Sequence, residues 1–246
     1  MAHILEEADR LRNQGQSLEA AKKYQDIAES SDESQMVGAA LHMSAVCFNQ
    51  AKEHTKAEEY FTKAVEHYKK QSDKFNLARV QRDYGNCQMA QSKLDKAEEL
   101  FNQSIKNFDN TNGLGELAMT QVKLAALLAK QEKFDEASSQ VYEGIQNANK
   151  SNNRFYIATA YKEAGRVYFL AKKYQAMIDC LYAALGALQL DEDPHAKQHA
   201  ELYLSLAHAY EQLNNNELSE YTQAKAEEYL KELDDASAER IRNYFI

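Results

Sequence analysis

The chain has 246 residues, with one Pro and eight Gly, and 44% of its residues are hydrophobic. So little Pro and Gly leaves few of the tight turns that a β-sandwich or β-barrel needs, so the composition favours an all-α fold. The formal net charge of -9 excludes general nucleic-acid binding, because that activity depends on surplus Lys and Arg.

The cysteines and the first residues indicate the compartment. The chain has three cysteines and no CxxC pair, which is typical of a reducing environment. The first residues lack the basic and apolar regions of a secretory signal peptide. No run approaches the roughly 20 apolar residues of a membrane span. We therefore expect a cytoplasmic protein without an integral membrane segment.

Small residues recur along the chain at spacings of 37, 40, 40, 40 and 42 residues. They are Ala8, Ala45, Gly85, Ala125, Gly165 and Ala207. Further along each unit a small–large–small triplet follows, and it is clearest as Ala57, Phe61 and Ala64. These spacings place the triplet on one side of a helix. Each unit therefore predicts two antiparallel helices that approach closely where the small residues meet.

Polar segments separate the helices and the units, and several supply the Ser, Asp or Asn of a helix N-cap. The chain is expected to form one domain over residues 1–246. Its units, in chain order, are 1–34, 38–74, 78–114, 118–154, 158–196 and 200–234. Residues 236–246 follow the sixth unit, and Ala238, Ile241 and Phe245 give them an apolar stripe. This stripe predicts a helix that covers the open end of the array; the alternative is a helix that docks on a partner.

The repeat pattern resembles the tetratricopeptide repeat (TPR) family over essentially the whole chain. The units are longer than the family's usual repeat, in the manner of kinesin light chains, the soluble NSF attachment proteins and bacterial peptide-sensing regulators. The resemblance implies a TPR-like α-solenoid: six helix–turn–helix units in a right-handed superhelix, with long helices and a C-terminal capping helix.

The resemblance also implies that the first helix of each unit lines a concave groove. The groove positions lie six and three residues before the small residue and one and four after it. With two lysines beside them, they give the candidate peptide-binding residues Arg79, Arg82, Asn86, Met89, Lys123, Lys130, Lys162, Arg166 and Phe169. In unit four the same positions give Met119, Val122, Ala126 and Ala129.

Basic groups on one surface of an acidic protein indicate an acidic partner, because Arg pairs with carboxylates through two parallel hydrogen bonds. The alternative is an ordinary solvated helix face. The residues do not match the clamp with which some TPR domains hold chaperone C-termini, since Lys123 stands where the second Asn of that clamp belongs.

The sequence contains only weak candidates for catalytic, metal or cofactor sites. His195 and His199 have the spacing of metal ligands on a helix, but Lys197 stands between them and no third ligand is evident. No phosphate loop, dinucleotide loop or nucleophile motif occurs. We therefore expect no enzyme, no metal and no cofactor.

The sequence predicts a non-enzymatic interaction module, an adaptor or scaffold that binds a protein or peptide segment in its groove. The alternative is a structural assembly component that self-associates or docks through its convex face or C-terminal helix. A monomer is favoured over an oligomer.

Overall fold

The computed structural model describes residues 2–109, 111–189 and 196–245. Within these ranges every regular element is an α-helix, and most helices pack against the next one in the chain. The all-α expectation of consecutive helix pairs is confirmed. The chain divides into two compact units, Met1–Gly113 and Leu114–Ile246.

The described part of the first compact unit contains α1 (Ala2–Asn13), α2 (Ser17–Ser30), α3 (Ser34–Gln50), α4 (His54–Lys70), α5 (Lys74–Ala90) and α6 (Leu94–Phe108). Its core forms where each helix meets the next one in the chain. Ala8, Ala45 and Ala57 are fully buried, and the rings of Phe48 and Phe61 pack among them. The small residues of the sequence pattern therefore lie at helix contacts, as the repeat requires.

The described part of the second compact unit contains α7 (Leu114–Lys130), α8 (Phe134–Lys150), α9 (Arg154–Leu170), α10 (Tyr174–Gln189), α11 (Ala196–Gln212), α12 (Asn216–Leu230) and α13 (Asp235–Phe245). Helices α7 and α8, α9 and α10, and α11 and α12 pack as pairs, and α13 packs on α11. Leu181, Leu202 and Leu206 are buried together in one of its apolar clusters. None of the described helices is both long and apolar enough to cross a membrane.

Gly85 shows why a small residue is needed at a helix contact. A Cβ at this position would lie 2.8 Å from the Cε1 atom of Phe101, which is closer than carbon atoms normally approach. Phe101 is fully buried, so the ring has little room to move. The missing side chain allows α5 and α6 to pack at their observed distance.

The turns between paired helices share one backbone geometry. In each turn a residue adopts the left-handed region with φ between 56° and 78°: Gly15, Lys52, Ser92, Glu132, Lys172 and Asn214. The following N–H donates to a carbonyl five residues earlier, as from Glu53 to Phe48 at 2.9 Å and from Lys133 to Leu128 at 2.9 Å. This Schellman closure satisfies carbonyl groups that the end of a helix leaves unpaired.

Buried amide side chains join the helices of two pairs at equivalent positions. Gln81 donates to Gln103 at 3.0 Å and accepts from Asn107 at 2.8 Å. Gln121, forty residues later, makes the equivalent two hydrogen bonds on α8. Both glutamines are buried, and these bonds offset the cost of removing them from water.

Helix α13 is held by apolar and ionic contacts. Ala238 and Ile241 are buried and pack in one cluster with Leu230 at the end of α12. Arg242 donates two hydrogen bonds to the carboxylate of Glu227, at 2.9 and 2.7 Å. These contacts cover apolar surface at the end of the second compact unit.

Two residues named in the sequence analysis are not described by the structure. His195, the first member of the histidine pair, and the side chain of Phe245, the last member of the C-terminal stripe, lie outside the described residues.

Candidate functional site

Four of the residues predicted from the sequence lie along one face of α5, in the first compact unit. Arg79, Arg82, Asn86 and Met89 have helical spacing that aligns their side chains, and all four are partly buried. The face carries an anion as well, because the Nε of Arg82 lies 3.1 Å from Oδ1 of Asp83. The two charges offset each other, so this face is less cationic than the sequence pattern predicted.

Asp83 is fixed from a second side by His42, whose Nε2 lies 2.9 Å from Oδ2. Burial raises the pKa of Asp83, but the charge of Arg82 and the hydrogen bond from His42 outweigh it and hold the pKa well below its usual value. Asp83 therefore remains ionised. Asp83 is not among the residues predicted from the sequence, although it follows Arg82 directly and lies one repeat beyond His42.

The expectation that Val122, Ala126 and Ala129 line a groove is wrong, because all three are buried. Helix α7 packs against both α8 and α9, and these helices cover much of its surface. Val122 packs where Gly144 of α8 has no side chain. The exposed Lys130 is the last residue of α7.

Lys123 of α7 is engaged within the second compact unit. Its Nζ lies 2.8 Å from Oε1 of Glu163 on α9, and Arg166 Nη1 lies 3.6 Å from Oε2 of the same carboxylate. Burial raises the pKa of Glu163, but the charge and hydrogen bond of Lys123 outweigh it and lower the pKa. The buried carboxylate is therefore ionised, and it neutralises part of the predicted positive charge.

The second compact unit contains a cleft of about 670 Å³ between α9, α10, α11 and α13. Three sequence-predicted residues, Lys162, Arg166 and Phe169, line it together from α9. Its volume lies within the roughly 300–1,000 Å³ range of ligand-binding clefts. The structure thus brings part of the predicted set into one concave site.

The cleft is lined by apolar and by charged side chains. The apolar side chains are Phe169, Met177, Leu181 and Ile241. The charged side chains are the cations Lys162, Arg166, Lys197 and Arg240 and the carboxylates Glu163 and Glu201. Positive groups outnumber carboxylates, which favours a ligand that carries negative charge together with an apolar group.

The cations that line the cleft differ in what they contact. Lys162 lies 3.1 Å from Oε2 of Glu201, and Arg166 faces Glu163 as described. Lys197 and Arg240 make no ion pair with any described residue of the chain, and both are exposed. Within the described part of the chain, they are the charged cations of the cleft without an ion pair.

Lys197 and Arg240 are not among the binding residues predicted from the sequence. Lys197 lies just after the break between units five and six, and Arg240 belongs to the segment outside the repeats. A signal was present for the ion pairs: Lys123 and Glu163 are 40 residues apart and Lys162 and Glu201 are 39 apart. Opposite charges one repeat apart indicate contact between neighbouring units.

Comparison with known proteins gives a family match and a set of similar folds. The family model described as tetratricopeptide repeat matches residues 36–110. No curated protein sequence matches the chain. Solved structures resemble it at low sequence identity, so they show the fold alone.

Three of these structures show which kinds of protein have a similar fold. BtubC (BKLC) from P. vanneervenii is 15% identical and has a TM-score of 0.70, with 90% of each chain covered. A putative kinesin light chain with TPR-like repeats from Podosopora anserina is 17% identical, with a TM-score of 0.63, and covers 79% of this chain and 94% of its own. A Rap protein complexed with competence and sporulation factor is 16% identical, with a TM-score of 0.67, and covers 93% of this chain and 63% of its own.

Proposed function

We propose, from the match of residues 36–110 to the tetratricopeptide repeat family and the repeat fold of the chain, that it is a non-catalytic interaction module that binds an acidic segment of a partner protein. Arrays of this kind present a long preformed surface rather than a reaction site. The first helices of the repeats supply the binding surface, with Arg79, Arg82, Asn86 and Met89 on the first compact unit. Lys123, Lys130, Lys162, Arg166 and Phe169 belong to the second.

The observation that carries this proposal is the cleft of the second compact unit. Lys162, Arg166 and Phe169 line it together, and a site with adjoining apolar and cationic parts fits a peptide better than a flat solvated face does. Support for ligand binding by this fold comes from the Rap protein of similar structure, which was solved in complex with competence and sporulation factor.

The affinity of such a site is expected to be modest and dependent on salt. Arg166 is about half exposed, with a side-chain exposure of 47%, and an exposed ion pair contributes only about 0–1 kcal/mol. Added salt screens such pairs. Apolar contact with Phe169 supplies the part of the binding free energy that salt does not remove.

The test is selection of displayed short peptides by the full chain, followed by measured dissociation constants for the enriched sequences. Enriched peptides should contain Asp or Glu, and their binding should weaken as salt is added. Arg166→Gln should weaken binding, whereas the matched variant Lys150→Gln should not, because Lys150 is exposed at the end of α8, outside the cleft.

Arg166 is a better site for this test than Arg82. Arg82 Nε lies 3.1 Å from the partly buried carboxylate of Asp83, closer than Arg166 is to Glu163, so its replacement would weaken the fold together with any binding. If no peptide is enriched at low salt, the proposed function is wrong. A concentration-dependent oligomer in light scattering would then favour the structural assembly alternative.

A further inference from the structure

We propose that the C-terminal helix α13 forms one wall of the binding site and that Lys197 and Arg240 are its anion-recognising residues. The inference rests on the proposed function and specifies its ligand. The ligand is a short peptide segment in which an acidic side chain lies next to an apolar one. Its acidic group pairs with Lys197 and Arg240, and its apolar side chain contacts Phe169 and Met177.

Lys197 and Arg240 differ from the other cations in their existing ion pairs. Lys123 and Lys162 already contact Glu163 and Glu201, at 2.8 and 3.1 Å. An incoming carboxylate would have to compete with those internal carboxylates. Lys197 and Arg240 face no such competition from the described residues, so they pair with a ligand at lower cost.

Glu163 indicates that the ligand also carries a hydrogen-bond donor. Its side chain is only 9% exposed and lines the cleft. Its Oε2 atom accepts no hydrogen bond from any described residue, and Nη1 of Arg166 lies 3.6 Å from it. A buried carboxylate oxygen without a donor costs free energy, and a peptide N–H would remove that cost.

The need for a donor distinguishes a peptide from a simple anion. Sulfate could pair with Lys197 and Arg240, but it has no donor for Glu163 and no apolar group for the rest of the cleft. A peptide supplies all three groups within a few residues. Phe169 is partly exposed, and the flexible side chain of Met177 beside it adapts to apolar groups of different shapes.

Helix α13 enters the site through Ser237, Arg240 and Ile241. The same helix is attached to the rest of its compact unit by Ile241 and by the ion pair of Arg242 with Glu227. A ligand that contacts α9 and α13 together would hold α13 in place. Binding should therefore protect the amides of α13 from hydrogen exchange.

The experiment uses the full chain and a peptide enriched by the selection described above. Lys197→Gln combined with Arg240→Gln should raise the dissociation constant by about tenfold or more, since two charged pairs are lost. Lys150→Gln should change it by less than about twofold, because that residue lies on α8, which does not line the cleft. Lys197 and Arg240 are both exposed, so the double variant should unfold at the wild-type temperature.

Two further measurements separate this inference from a general charge effect. Hydrogen exchange of the α13 amides should slow when the peptide binds, and added inorganic sulfate alone should leave it unchanged, because sulfate does not contact α9 and α13 together. Wild-type affinity in the double variant, or unchanged exchange in α13, would overturn the inference and leave the proposed function standing. Failure of the wild-type chain to bind any peptide would remove both.

Discussion

Replacement of Gly85 by Ala tests the close contact between α5 and α6. The new Cβ would lie 2.8 and 2.9 Å from two ring carbons of Phe101, whereas carbon atoms in contact normally lie about 3.5–4.0 Å apart. The ring is fully buried, so α5 must shift to admit the methyl group. Overpacking of this kind costs about 1–3 kcal/mol, and the better helix propensity of Ala returns about 1 kcal/mol. We expect a net loss of up to about 2 kcal/mol.

Gly186 provides the matched control, because it is also helical and a Cβ there meets nothing within 4 Å. Gly186→Ala should gain the helix propensity without the overpacking, which stabilises by about 1 kcal/mol. Thermal and urea unfolding followed by circular dichroism measure both variants. For a unit of this size each kcal/mol shifts the midpoint by roughly 4 °C, so the two midpoints should move in opposite directions.

The larger substitution Gly85→Leu should lower the midpoint further, since its side chain cannot be placed without displacing Phe101. Combining Gly85→Ala with Phe101→Leu should cost less than the sum of the two single changes, because the smaller side chain makes room for the methyl group. Equal stabilisation by Gly85→Ala and Gly186→Ala would refute the assignment of Gly85 to the helix contact.

Two further predictions concern the C-terminal helix and the buried carboxylate. Removal of residues 236–246 should lower solubility and the unfolding midpoint, because Ile241 is only 5% exposed and burial of such a side chain contributes about 1.5–3 kcal/mol; an unchanged melt would mean that α13 is free in solution. The pKa of Glu163 is lowered in the folded chain, so its ionised form stabilises the fold above the unfolded-state pKa and this stabilisation is lost as pH falls through the folded-state pKa. Urea unfolding at a series of acidic pH values should therefore show that the free energy of unfolding depends less on pH in Glu163→Gln than in the wild type. The same pH dependence in both proteins would contradict this assignment.

The sequence was sufficient to predict the helices and the positions where they touch. Close helix packing selects directly for side-chain size, so Ala45, Ala57 and Gly85 could be placed at contacts from their spacing alone. The turns were also predictable in position, since polar segments separate the apolar stripes.

The electrostatics of the candidate site could be predicted only in part. The sequence shows which faces carry charge, but whether a cation is open to a ligand depends on its neighbours in the next helices. Lys123 contacts Glu163 and Lys162 contacts Glu201; the spacing of one repeat indicates such contacts, and three-dimensional packing shows which charges pair. A binding role for Arg240 could not be predicted for another reason. This residue lies in a segment outside the repeats, so the repeat spacing does not indicate its position.

The packing of each helix against its neighbours in the chain has a consequence for the speed of folding. Hydrogen bonds between different helices join residues separated by distances such as 15, 26 and 41 positions. Contacts of such short range require little loop-closure entropy before they form. Each compact unit should accordingly fold rapidly and grow outward from any pair of helices that forms first, so a newly synthesised chain can acquire native structure before its last helices have been made.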